Sequence, residues 1–135
     1  MHSWLAPYEF TVIAMVAIAA LLLVQLIVLD IAGIRSGHVP GAPVKSDHGS
    51  FLFRAVRAHA NTNESIVVFV ILAVAAILSS SSPTWTNIWA WLYVVSRFGH
   101  MLCYYANFKI ARSVSFAVSI VALILLLSTV IATLF

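Results

Sequence analysis

The chain has 135 residues, 63% of them hydrophobic and 8% charged, with seven lysines and arginines against four acids for a formal net charge of +3. A water-soluble domain carries about 25% charged residues, so this chain lacks the polar surface to cover one. A soluble fold is excluded, and the apolar runs must be read as membrane spans.

A helix needs about 20 apolar residues to cross roughly 30 Å of hydrocarbon. The run from Phe10 to Leu29 meets that requirement with no charge inside it and predicts a first span over about 8–32. It has no basic leader and no obvious small-residue cleavage site, so it reads as an uncleaved span. A Pro/Gly-rich connection follows from Gly33 to Ser50. The uncharged run from Ser65 to Leu78 is too short to cross alone, so the second span extends back to about Phe51, over 51–79. That extension takes Arg54, Arg57, Asn61 and Glu64 into its first turns. After a connection from Ser79 to Thr84, the third span, 85–106, is long enough only if Arg97 lies well within it. Beyond Asn107 to Arg112, the charge-free run 113–135 forms the fourth span, and its hydroxyl residues can bond back to their own helix. The expected fold is an all-α bundle of four transmembrane helices, a single domain over 1–135 with no internal repeat.

Arg35, Lys45, Arg54 and Arg57 surround the first connection and Lys109 and Arg112 the third, while the second connection and both tails have no lysine or arginine. Short cytoplasmic loops hold an excess of these residues. Both termini are therefore expected on the non-cytoplasmic side, where Trp4, Trp85, Trp89 and Trp91 form an aromatic belt. Asn63-Glu64-Ser65 matches a glycosylation acceptor, but its cytoplasmic placement argues against use. A single cysteine, Cys103, leaves no intrachain disulfide. No histidine or cysteine pair has metal-ligand spacing, and no basic surface interleaved with aromatics suggests nucleic acid.

Residues three, four and seven apart share a helix face. Arg54, Arg57, Asn61 and Glu64 follow that spacing in the second span, and Tyr93, Arg97, His100 and Tyr104 follow it in the third. Arg112 and Ser113 open the fourth span at the same level. An ionisable side chain at the bilayer centre costs about 2.5–3.5 kcal/mol, so it normally faces a partner, a cavity or a ligand. A structural account pairs Glu64 with Arg97 and lets the other arginines snorkel, which suits Arg54 at its helix start. For the whole set the charges favour a ligand: Arg35, Arg57, Arg97 and Arg112 supply four cations, with Glu64 the one nearby acid. Such a cluster is costly in low dielectric unless an anion fills it. Arginine forks take carboxylates bidentately, and Glu64 could hold one cationic group. His59 points away from Arg57 and reads as a packing residue, and Cys103 as an apolar filler. His100 fits a ligand contact or a packed histidine. Tyr104 could donate to a bound anion or to a neighbouring carbonyl.

The segment Arg54-Ala55-Val56-Arg57-Ala58-His59-Ala60-Asn61-Thr62-Asn63-Glu64-Ser65 resembles the signature of the MAPEG family, membrane-associated proteins in eicosanoid and glutathione metabolism. Its core is Arg-x-x-x-Asn-x-x-Glu at the start of the second span. Arg97-Phe98-Gly99-His100 followed by Tyr104, then Arg112-Ser113, resembles the corresponding run in microsomal glutathione transferases and prostaglandin E synthase. The resemblance covers most of the chain. It implies a homotrimer that binds glutathione between subunits near the cytoplasmic face. Arg35, Arg57, Asn61, Glu64, Arg97, His100 and Tyr104 would bind the glutathione, Arg112 would stabilise its thiolate, and Ser113 would donate a hydrogen bond. Ala60 stands where several members carry a further arginine, and Phe116 where some carry tyrosine.

The expected function is a membrane-bound glutathione transferase acting on a hydrophobic electrophile or lipid substrate, with peroxidase activity from the same thiolate. A non-catalytic scaffold of the same fold is the alternative. A proton or transport pathway built on Glu64, Arg97 and His100 fits less well, because Trp85 to Tyr93 offers it no polar continuation.

Overall fold

A bilayer core has no water to satisfy backbone N–H and C=O groups, so an apolar run must close its hydrogen bonds internally as a helix. The computed structural model describes residues 4–135. A short 3-10 turn, Ala6–Tyr8, leads into α1 (Glu9–Arg35), followed by α2 (Phe51–Leu78), α3 (Pro83–Tyr105) and α4 (Lys109–Leu134). Among the described residues there is no strand, and the fold is the all-helical bundle expected from the sequence. Three helical stretches, Ala6–Arg35, Phe51–Leu78 and Lys109–Leu134, are long and apolar enough to cross a membrane. The polar stripe makes α3 less apolar, and α3 packs against all three other helices, most extensively against α4.

Local chemistry sets the helix ends. Ser50 caps α2 by accepting from the Phe53 N–H, and Pro83 opens α3 where its missing N–H costs nothing. The first three helices close in the same way, with a left-handed residue just past the end: Gly37 (φ 65°), Ser80 (φ 55°) and Asn107 (φ 61°). At each, an N–H one residue further on returns to the last helical turn, from His38 to Gly33, Ser81 to Ala76 and Phe108 to Cys103. This is the Schellman closure, for which glycine and asparagine are the usual residues.

The core runs along the membrane-spanning middle. Ala14, Ile18 and Leu21 of α1 meet Phe69, Ala73 and Ala76 of α2, Ala90, Tyr93 and Met101 of α3, and Ala122, Leu126 and Val130 of α4. Alanine at so many contact positions lets the backbones approach, which is how helices associate where lipid supplies no hydrophobic drive. At its centre the rings of Phe69 and Tyr93 stack 4.5 Å apart at 13°, and the Tyr93 hydroxyl bonds Ser65 at 2.8 Å.

A polar clasp ties the end of the bundle that holds the amino terminus. The Tyr8 hydroxyl donates to the Ser81 carbonyl between α2 and α3. Asn87 accepts from the Thr11 N–H and hydroxyl at 3.0 and 2.6 Å and donates to the Pro7 carbonyl at 3.0 Å. The Trp91 indole donates to the Phe10 carbonyl at 3.0 Å, and Trp85 stacks on Trp89 at this same end.

Ser80 holds a left-handed conformation that penalises any Cβ by about 1–2 kcal/mol. Glycine also gains chain entropy when unfolded, so Ser80→Gly is expected to stabilise the protein by a net ~0.5 kcal/mol, read from reversible unfolding in detergent. A loss of stability would show that the Ser80 side chain contributes a contact outweighing its backbone strain.

Candidate functional site

The opposite end, where α1 and α3 finish and α2 and α4 begin, gathers the chemistry. Asn61 from α2, His100 and Tyr104 from α3, and Arg112, Ser113 and Phe116 from α4 line one cleft of about 180 Å³. Each helix contributes through its 3.6-residue period: His100 and Tyr104 stand one turn apart, as do Arg112 and Phe116. Five of the nine residues expected from the sequence to form the site thus share a cavity.

Arg112 lies over the Tyr104 ring, 4.5 Å from its centroid, and its Nη1 approaches the His48 Nδ1 at 3.5 Å. It sits in the first turn of α4, whose N-cap residue, Phe108, supplies no side-chain cap. The positive end of the helix dipole therefore adds to the guanidinium charge, and the two together favour an anion. Ser113 donates its hydroxyl to the Lys109 carbonyl at 3.2 Å, so it must rotate before it can donate to a ligand. The His100 and Tyr104 rings meet edge to face, 4.9 Å apart, and the buried His100 Nδ1 has no partner among the described residues.

Arg97 lies inside the bundle, fully buried. Its Nη1 and Nη2 donate to the Asn61 Oδ1 at 3.4 and 3.3 Å, and Nη2 also to the Thr62 Oγ1 at 3.2 Å. Thr62 in turn accepts from the Gln25 amide at 3.1 Å and donates to the Ala58 carbonyl at 3.1 Å. One hydroxyl thereby joins α1, α2 and α3. Arg97 has only donors, so it fixes the Asn61 amide with oxygen inward and leaves the NH₂ group as the hydrogen-bonding end open to the cleft. The acceptors holding Arg97 are an amide and a hydroxyl, not the carboxylate that a structural pairing with Glu64 would supply.

A family model described as the MAPEG family matches residues 11–132, nearly the whole chain. This chain belongs to the MAPEG family. No curated protein matches it. As a MAPEG protein it is an integral membrane protein of a family that works in glutathione and eicosanoid metabolism.

Three expected residues of this MAPEG chain stand apart from the cleft. Arg35 is exposed and lines a separate groove with Val28, Ile31, Ala32, Phe51 and Leu52. Arg57 is half-buried on α2, and Glu64 is exposed. Arg54 bonds the His48 and Gly49 carbonyls at 2.7 and 2.9 Å, so it fastens the loop before α2 and takes no part in the cleft. Sequence reasoning missed three residues. Gln25 and Thr62 could have been found, because a lone amide in an otherwise apolar span needs an intramembrane partner. His48 carried no periodic signal, since the course of its loop is set by tertiary contacts.

Replacing Thr62 with valine removes the acceptor shared by Gln25 and Arg97 while keeping the shape of the side chain. Thr62→Val is expected to cost about 2 kcal/mol of unfolding free energy in detergent, and Thr62→Ser much less. Equal losses for the two variants would show that the methyl group, not the hydroxyl, is what matters.

Proposed function

We propose that the protein is a membrane-bound glutathione transferase that forms the glutathione thiolate beside Arg112 and directs it at hydrophobic electrophiles arriving from the lipid. The observation that carries this reading is the cleft itself. It combines one arginine, a helix amino terminus, the Asn61 amide and the Tyr104 ring, with no carboxylate among its lining residues. An adjacent cation lowers a thiol's pKa and so raises the nucleophilic fraction at neutral pH. The thiol proton leaves to solvent, the thiolate forms a C–S bond, and the electrophile's leaving group departs with the bonding pair. With a hydroperoxide, the same thiolate would attack oxygen, and a second glutathione would complete the disulfide.

Glutathione has two carboxylates, one ammonium and one thiol, which suits several arginines and a single glutamate. The cleft, at about 180 Å³, is smaller than the roughly 300–1,000 Å³ of ordinary small-molecule sites. Arg35, Arg57 and Glu64 stand outside it. Both facts support a site completed by neighbouring copies, which the family resemblance makes a homotrimer, with Arg57 and Glu64 holding the peptide's charged ends and Arg35 supplied across the interface. The distribution of lysine and arginine supports a cytoplasmic site and non-cytoplasmic termini.

Glutathione titrated calorimetrically into detergent-purified protein, in two buffers of different ionisation enthalpy, reports binding and proton release together. The wild type is expected to bind saturably and release protons. Arg112→Ala is expected to keep binding within about tenfold while turnover falls by roughly a hundredfold or more. Unchanged turnover in that variant would sink the thiolate role, and no binding at millimolar glutathione would leave a non-catalytic scaffold of the same fold.

A further inference from the structure

The loop between α1 and α2 delivers one side chain to the cleft's arginine, and the turn that carries it is built. Asp47 accepts the Gly49 N–H on its carboxylate at 2.8 Å and the Ser50 N–H on its carbonyl at 3.1 Å. Arg54 reaches back from α2 to the His48 and Gly49 carbonyls at 2.7 and 2.9 Å. The His48 ring stands edge-on to Phe53, with centroids 5.0 Å apart at 85°. Backbone, ring and cap are thus fixed by α2, while the Nδ1 atom is presented across the bundle to α4.

There it lies 3.5 Å from the Arg112 Nη1. Among the described residues this is the one hydrogen-bond acceptor of the Arg112 side chain, and the Tyr104 ring is its other contact. An arginine side chain has many rotamers, so a guanidinium meant to sit beside a developing thiolate needs support from more than one side. Arginine has donors alone, so the contact uses the lone pair of the His48 Nδ1 atom, which leaves the ring N–H on Nε2. It occupies one of five guanidinium N–H groups and leaves the others for a ligand.

We infer that His48 is a positioning residue for Arg112: the α1–α2 loop holds the guanidinium over Tyr104 so that the sulfur of bound glutathione meets it in one geometry. The inference rests on the proposed thiolate chemistry, which makes Arg112 the group whose placement matters. It assigns the loop a share of the rate, and it makes the contact with Arg112 the route by which that share is delivered.

The test uses the full chain in detergent, with glutathione and an activated aryl halide such as chlorodinitrobenzene. His48→Ala is expected to lower kcat roughly tenfold or more, with KM for glutathione within about twofold, because substrate binding groups are untouched. His48→Asn puts an amide oxygen where Nδ1 stands and is expected to recover most of kcat. His48→Gln, whose amide reaches the Nε2 position instead, is expected to behave like alanine. The double variant His48→Ala/Arg112→Ala should be no slower than Arg112→Ala alone. Asparagine as poor as alanine, additive losses in the double variant, or an unchanged kcat in His48→Ala would each overturn the positioning role. A wild-type chain that binds glutathione but turns nothing over would overturn the functional reading first, and this inference with it.

Discussion

A positive charge fully enclosed in a membrane protein needs acceptors, and the way Arg97 finds them organises the rest of the structure. Its Cα lies about 12 Å along α3 from the end of that helix, at 1.5 Å per residue. It bonds the Asn61 and Thr62 side chains of α2, and Thr62 holds Gln25 of α1. With α3 thus fixed to α2, and α2 to α1, the rotation of these three helices about their own axes is no longer free. Apolar packing alone would leave that rotation loosely specified, because lipid is as apolar as the side chains it would replace. The same bonds orient the Asn61 amide toward the cleft, so the polar core and the site are one construction.

The two ends of the bundle carry different work. The amino-terminal end is closed by polar contacts from the first turns of α1 to the start of α3, and Trp85 stacks on Trp89 there. The other end is left open: α4 begins with an uncapped helix terminus, and Arg112 leans on an aromatic face and a loop histidine in place of a carboxylate. Leaving a cation without an acid is costly in low dielectric. An anion bound beside Arg112 would offset that cost, and in the proposed function the glutathione thiolate is that anion.

Much of this was legible before the fold was known. The four helices follow from run lengths and from where the charges interrupt them, and the stripes of α2 and α3 follow from the helical period, which placed Asn61, His100 and Tyr104 on facing sides. Arg97 reads from the sequence as needing a partner, but periodicity names a face and not a distance, so it offers Glu64 or a bound anion and leaves open the Asn61 and Thr62 acceptors that the structure shows. The lone Gln25 in an apolar run was a readable sign of an interhelical bond. His48 was not readable at all, because a Pro/Gly-rich loop has no period and its course depends on what α2 and α4 offer it.

The sequence by itself determined the membrane setting, the number of helices, the faces that bear charge and the family to which the chain belongs, because hydrophobic length and helical period are local properties of consecutive residues. Only the tertiary structure decided which stripe residues share the cleft, which acceptors bond the buried arginine and which loop atom meets Arg112. Those outcomes depend on the rotation and offset of one helix against another. They are fixed by hydrogen bonds between residues as far apart as Gln25 and Thr62 or His48 and Arg112, and no local pattern encodes such pairings.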